Sequence, residues 1–164
     1  MLPIPATAPM ARAQPVSEPA ANAKTVYAHV GRGSDEITGG LGILWTGPRL
    51  ALGADFGIEG KQQDQTGGRE TIEDAVSINL LAGVSIFRNE TLRIVPFALL
   101  GMRTYKTTCP TGQSHLGFRC YADYEPERHW KINYGGGVAL RIGSMAVGVR
   151  ATGESVAGML GYNF

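Results

Sequence analysis

The sequence predicts an all-β chain, an eight-stranded antiparallel up-and-down barrel that crosses a membrane. Three observations predict it. Large apolar residues alternate with small and polar ones over stretches of eight or more residues, a period of two that no helix produces. The connections between those stretches alternate between tight turns and long polar loops, as in a meander closed on itself. The 164 residues include 23 Gly and 9 Pro with only 18% charged residues, a composition that argues against a helical bundle. At 43%, hydrophobic residues are too many for a disordered chain. Lys plus Arg number 15 against 14 Asp plus Glu, so there is no basic footprint for nucleic acid. The longest apolar run, Ile94 to Met102, is about half of what a membrane helix needs, which leaves strands as the means of crossing. The length suits one domain and is too short for a channel-forming barrel of about sixteen strands.

Residues 1–23 are rich in Ala and Pro and have no period. Ala11-Arg12-Ala13 and Ala21-Asn22-Ala23 have the small-x-small form of a signal-peptidase site, so this segment reads as a signal-peptide remnant or a disordered tail. The barrel is expected over 24–164, with strands at 24–32, 36–45, 50–60, 74–87, 92–105, 129–142, 145–152 and 155–164. In the third, Leu50, Leu52, Ala54, Phe56 and Ile58 alternate with Ala51, Gly53, Asp55, Gly57 and Glu59. In the fourth, Val76, Ile78, Leu80, Ala82, Val84 and Ile86 share a face, and Leu81 is the one large residue on the other. The fifth is apolar on both faces and contains Pro96, which cannot donate to a ladder. A bulge near Pro96 would switch its parity, and either Phe97 and Leu99 or Ala98 and Leu100 face outward. The sixth alternates cleanly from Trp130 to Ile142, and the eighth sets Val156, Gly158, Leu160, Tyr162 and Phe164 on one face. Thr46-Gly47-Pro48-Arg49, Arg88-Asn89-Glu90-Thr91 and Gly143-Ser144 are turns at one rim. Loops 61–73 and 106–128, with short links at 33–35 and 153–154, lie at the other.

Residue size decides which face is inside. One face carries Trp, Tyr, Phe, Leu, Ile and Val, and the other mostly Gly, Ala, Ser, Asn and a few charges. A narrow eight-stranded lumen accepts the second set, so the first faces lipid. Asp55, Glu59, Lys131, Arg141 and Arg150 then point inward and are expected to pair as a lumen charge network. Trp45, Tyr162 and Phe164 fall at the turn end, and Phe56, Tyr105 and Trp130 toward the loop end. Two aromatic belts are what the two headgroup levels of a bilayer select.

Tyr134-Gly135-Gly136-Gly137-Val138-Ala139-Leu140-Arg141, a tight turn, a short strand and the closing Gly161-Tyr162-Asn163-Phe164 resemble the small eight-stranded outer-membrane barrels of Gram-negative bacteria, the OmpA, OmpX and opacity types. The resemblance covers 24–164. It implies an outer-membrane location, contact with outer-membrane lipid and lipopolysaccharide, and a monomer. It also implies that Phe164, with Tyr162 and Leu160 on its face, is the signal read by the barrel-assembly machinery. No peptidoglycan-binding domain follows the barrel, so that activity of the OmpA type is not implied.

The chemistry expected is sparse. The sequence holds no Gly-x-Ser-x-Gly elbow, no phosphate-binding loop and no His-Glu-x-x-His, and no cofactor or metal is expected. Cys109 and Cys120 enclose a polar loop and suit a disulfide in an exported protein, since His115 alone between them is one ligand short of a zinc site. The same loop places Phe118, Arg119, Tyr121 and Tyr124 together, a contact surface for an extracellular partner or for lipopolysaccharide phosphates. Three functional classes follow: a non-enzymatic barrel acting as an envelope scaffold or through its loops, a narrow pore for ions or small solutes, and a lipid A-modifying enzyme. The last is weakest, because no strand carries a Ser and a His at a workable spacing.

Overall fold

The computed structural model describes residues 23–33, 36–66, 71–88, 92–109 and 125–164, the side chains of 87–88 excepted. Eight long strands follow one another: β1 (Ala23–Gly33), β2 (Ile37–Thr46), β3 (Leu50–Asp64), β4 (Thr71–Val84), β5 (Leu92–Thr108), β6 (Glu127–Ile142), β7 (Met145–Thr152) and β8 (Ser155–Asn163). A two-residue strand, Phe87–Arg88, continues the line of β4 and pairs with Ile94 and Arg93 at the foot of β5. Each long strand pairs antiparallel with its sequence neighbours, and β1 pairs with β8. The sheet therefore closes into an eight-stranded up-and-down barrel. Closure leaves no long unpaired edge.

The strands nearest the two long loops run further than the apolar period suggests. β3 and β4 stay paired to Asp64 and Thr71, and β5 and β6 to Thr108 and Glu127. Backbone pairing needs no hydrophobic alternation, so Gln62, Gln63 and Glu73 extend the ladder beyond the apolar wall. The loops expected at 61–73 and 106–128 are shortened accordingly. Register slips once in β3, between Ile58 and Lys61, where Gly60 takes a φ of 76°, and once in β5, between Thr104 and Lys106.

The bulge considered at Pro96 is not there. Pro96 pairs with Val138 inside an unbroken ladder. Arg93, Val95, Phe97, Leu99 and Arg103 are buried inside, while Ala98, Leu100 and Met102 are exposed outside. The strand is apolar on both faces because the lumen is apolar at this height. Tyr27, Leu44, Ala51, Leu81, Val95, Phe97, Ala139 and Met159 form an interior cluster toward the turn end. Leu81, the odd residue of β4, belongs to it.

Glycines make room for the two interior rings. Tyr27 is paired laterally with Gly42 and Gly161, and Phe97 with Gly83 and Gly137. A Cβ on Gly42 would lie 2.3 Å from the Tyr27 ring, and one on Gly137 2.6 Å from the Phe97 ring. The outer surface is the reverse of a soluble protein's. Leu80, Ile132 and Phe164 are 67%, 71% and 66% exposed, whereas Asn79 is fully buried. No helix among the described residues is long and apolar enough to cross a membrane. The apolar wall of the barrel supplies the membrane-facing surface instead.

Candidate functional site: the filled lumen

Above the apolar cluster, toward the loop end, the interior is polar. Arg150 on β7 extends across it and meets two carboxylates of β3. Its Nη1 donates to Asp55 Oδ2 at 2.9 Å, and its Nη2 to Glu59 Oε2 at 3.1 Å. The two acids stand four residues apart on one strand, so period two puts both on the inner face, about 13 Å apart along it. One guanidinium reaches both because its planar fork offers donors in two directions. All three side chains are essentially without solvent contact.

Uncharged groups complete each carboxylate. Asp55 accepts from Asn79 Nδ2 at 2.8 Å and from the Tyr27 hydroxyl at 3.2 Å. Glu59 accepts from Asn133 Nδ2 at 2.9 Å, Ser155 Oγ at 2.6 Å and the Thr152 hydroxyl. Asn133 also donates to Asn79 Oδ1 at 2.9 Å, which joins the two halves. Arg150 Nη1 lies 3.0 Å from His29 Nε2, so that nitrogen acts as the acceptor and the ring is neutral in this arrangement. Buried ions left without such partners would cost several kcal/mol each. The network crosses the lumen from β1 and β3 to β7, and packs on the apolar cluster beneath it. Apart from the part-buried Thr152, its members are buried, and it fills the lumen above the apolar cluster.

Asp55, Glu59 and Arg150 are brought together; Lys131 and Arg141 are not part of the group. Lys131 is near the loop rim, where its Nζ lies 2.9 Å from Glu154, a residue that also pairs with Arg103. Burial opposes ionisation of Glu154, but Lys131 and Arg103 outweigh it and hold the carboxyl below the usual range. That contribution to stability is present above the ordinary Glu pKa and is lost as pH falls through the lowered one. Arg141 sits at the turn end, laterally paired with Arg93, and its Nε has no partner among the described residues. A second rim cluster links Lys61 to Glu36 and Asp74.

Sequence reasoning missed Tyr27, His29, Thr152 and Ser155 as members of the network. The signal existed for the first two: Thr25, Tyr27 and His29 alternate with Val26, Ala28 and Val30, which are the outward residues of β1. His129 bonds Thr108 across the β5–β6 ladder at 2.8 Å. Among the described residues, no group of His, Cys, Asp and Glu could hold a metal. Cys109 is buried at the end of β5, and Cys120 lies outside the described residues, as do His115, Phe118, Arg119, Tyr121 and Tyr124. Leu160, Tyr162 and Phe164 are all exposed on the outer wall.

No protein-family model and no curated protein matches the sequence. Among solved structures, the N-terminal β-barrel domain of Pseudomonas aeruginosa OprF is similar at 14% identity and a TM-score of 0.46, over 87% of this chain and 97% of that one. The attachment invasion locus protein Ail of Yersinia pestis is similar at 12% identity and a TM-score of 0.40, over 88% and 99%. In its own closed ladder of eight strands, apolar outside and filled with paired polar groups inside, the chain has the fold of the small eight-stranded outer-membrane barrels.

Proposed function

We propose that this chain is a non-enzymatic outer-membrane barrel that acts as an envelope scaffold and presents its external loops to a partner. One observation carries the reading: the interior is closed by Arg150, Asp55 and Glu59 with their polar partners, above a layer of packed apolar side chains. A barrel plugged in this way has no path for solutes, which ranks the scaffold above the pore. Its two carboxylates are buried and each is held by several donors, which ranks the scaffold above the enzyme. Contact with a partner then falls to the loop end, where the residues between Lys106 and Arg128 combine aromatics with cations.

Planar-bilayer recording of the purified barrel tests this directly. The intact protein should show no steady conductance, and openings should appear only when the apolar layer is cut as well, as in Arg150→Ala combined with Phe97→Ala. Steady openings in the intact barrel would establish the pore instead. Cell fractionation with gel migration before and after boiling tests the location: a folded outer-membrane barrel sediments with that membrane and changes mobility on heating.

A further inference from the structure

The outer wall is not uniformly convex. A groove of about 650 Å³ runs along the exterior of β4, β5 and β6, lined by Ile78, Leu80, Leu100, Met102, Trp130 and Ile132 over the backbone of Gly101. The register builds it from two rows: Leu80 beside Leu100, and Ile78, Met102 and Ile132 side by side. Its volume is that of a small-molecule site, and every lining side chain is apolar. Only hydrocarbon fits such walls without losing hydrogen bonds to water.

The groove also has a polar end. Arg128 lies on the outward face of β6, two residues beyond Trp130 toward the loops, about 7 Å along the strand. It is exposed and takes part in none of the ion pairs among the described residues. Trp130 belongs to the loop-end aromatic belt, where indole rings sit at the headgroup level. A cation just beyond that belt is at the height of lipid phosphate. A second copy of the barrel would bring a convex wall, which neither enters the groove nor answers the charge. We infer that this groove binds one acyl chain of an anionic membrane lipid, whose phosphate pairs with Arg128. The inference rests on the membrane reading above and names the lipid's place on the barrel.

The chain has two tryptophans, one in the groove and Trp45 near the opposite rim, so each can report alone. The Trp45→Phe variant is reconstituted in vesicles that mix plain phosphatidylcholine with brominated phosphatidylglycerol or brominated phosphatidylcholine, and quenching of Trp130 is read. The anionic lipid should compete for Trp130 about five-fold better, the usual value of one cation near an anionic headgroup. The preference should disappear in Arg128→Gln and return in Arg128→Lys. Equal quenching of Trp130 by the two lipids, or a preference that survives Arg128→Gln, overturns the site. Absence of quenching of either tryptophan by any brominated lipid overturns the membrane reading itself.

Discussion

Arg150 is one charge serving two carboxylates in the driest part of the molecule. Replacing it with Met removes the cation and leaves Asp55 and Glu59 facing each other without compensation, which should cost about 3–5 kcal/mol. Urea unfolding in vesicles, followed by the mobility of the unheated protein, measures the loss. A cost no larger than that of an exposed substitution would mean that water reaches both acids. The inward parity of Asp55, Glu59 and Arg150 was legible in the sequence, because alternation states which face a side chain takes. Height was legible only in part. Counting residues up from the turn rim sets Asp55 and Arg150 at one level, where they pair. Strands of a barrel are tilted and staggered, however, and no alternation pattern contains the shear that leaves Lys131 with Glu154 and Arg141 with Arg93. Cys109 and Cys120 pose a separate question of covalent state. Joined, they would close a loop of about twelve residues and stabilise it by roughly 3 kcal/mol on the chain-entropy model. Peptide mapping without reductant should recover the linked pair, and two alkylatable thiols in the exported protein would refute it.

At the scale of the element, β5 was the strand whose facing could not be read, and its neighbours explain why. A strand with one wet or polar face advertises its parity, whereas β5 lies between membrane and an apolar layer of lumen and has no polar residue from Ile94 to Met102 to mark the difference. The glycines of adjacent strands held the missing information. Gly83 and Gly137 flank Phe97 from either side, as Gly42 and Gly161 flank Tyr27, so a ring inside is paired with an absence of side chain beside it. Gly137→Ala should therefore destabilise by about 1–3 kcal/mol through overpacking, against the Val149 carbonyl 2.3 Å from the added Cβ and against the Phe97 ring at 2.6 Å. Part of that cost should be recovered when Phe97→Leu is added, and a double-mutant cycle in unfolding experiments reads the coupling. Purely additive effects would show that the ring does not occupy the space over Gly137.

For the whole molecule the organising fact is inversion, with large apolar groups outside and charges within. It follows that Arg on the outer wall should be penalised by depth. Leu80→Arg, in the middle of β4, should cost about 2–4 kcal/mol, and Ile72→Arg, where β4 has passed the apolar wall, about 0–1. Equal penalties at the two positions would argue against a bilayer around the barrel. Both sites are on the same strand and the same outward-exposed surface. The comparison therefore isolates depth from the change of side chain.

The seam between β1 and β8 brings the two ends of the barrel side by side: the amide of Lys24 donates to the carbonyl of Phe164 at 3.1 Å, and that of Phe164 to Lys24 at 2.9 Å. The ring thus has no privileged starting point in space, only in translation. A circularly permuted chain, with residue 164 joined to residue 23 by a short linker and new termini opened at Gly153 and Glu154, would carry the same eight pairings in a different order of synthesis. It should fold in vesicles to the same heat-modifiable state. In the natural order the final strand completes the seam, with Thr25 and Asn163 bonded at 2.6 Å across 138 positions. Sealing is therefore the most non-local event the chain undergoes. The permutant, which turns that seam into a hairpin, moves the final closure to β7 and β8, so the two chains should seal at similar rates.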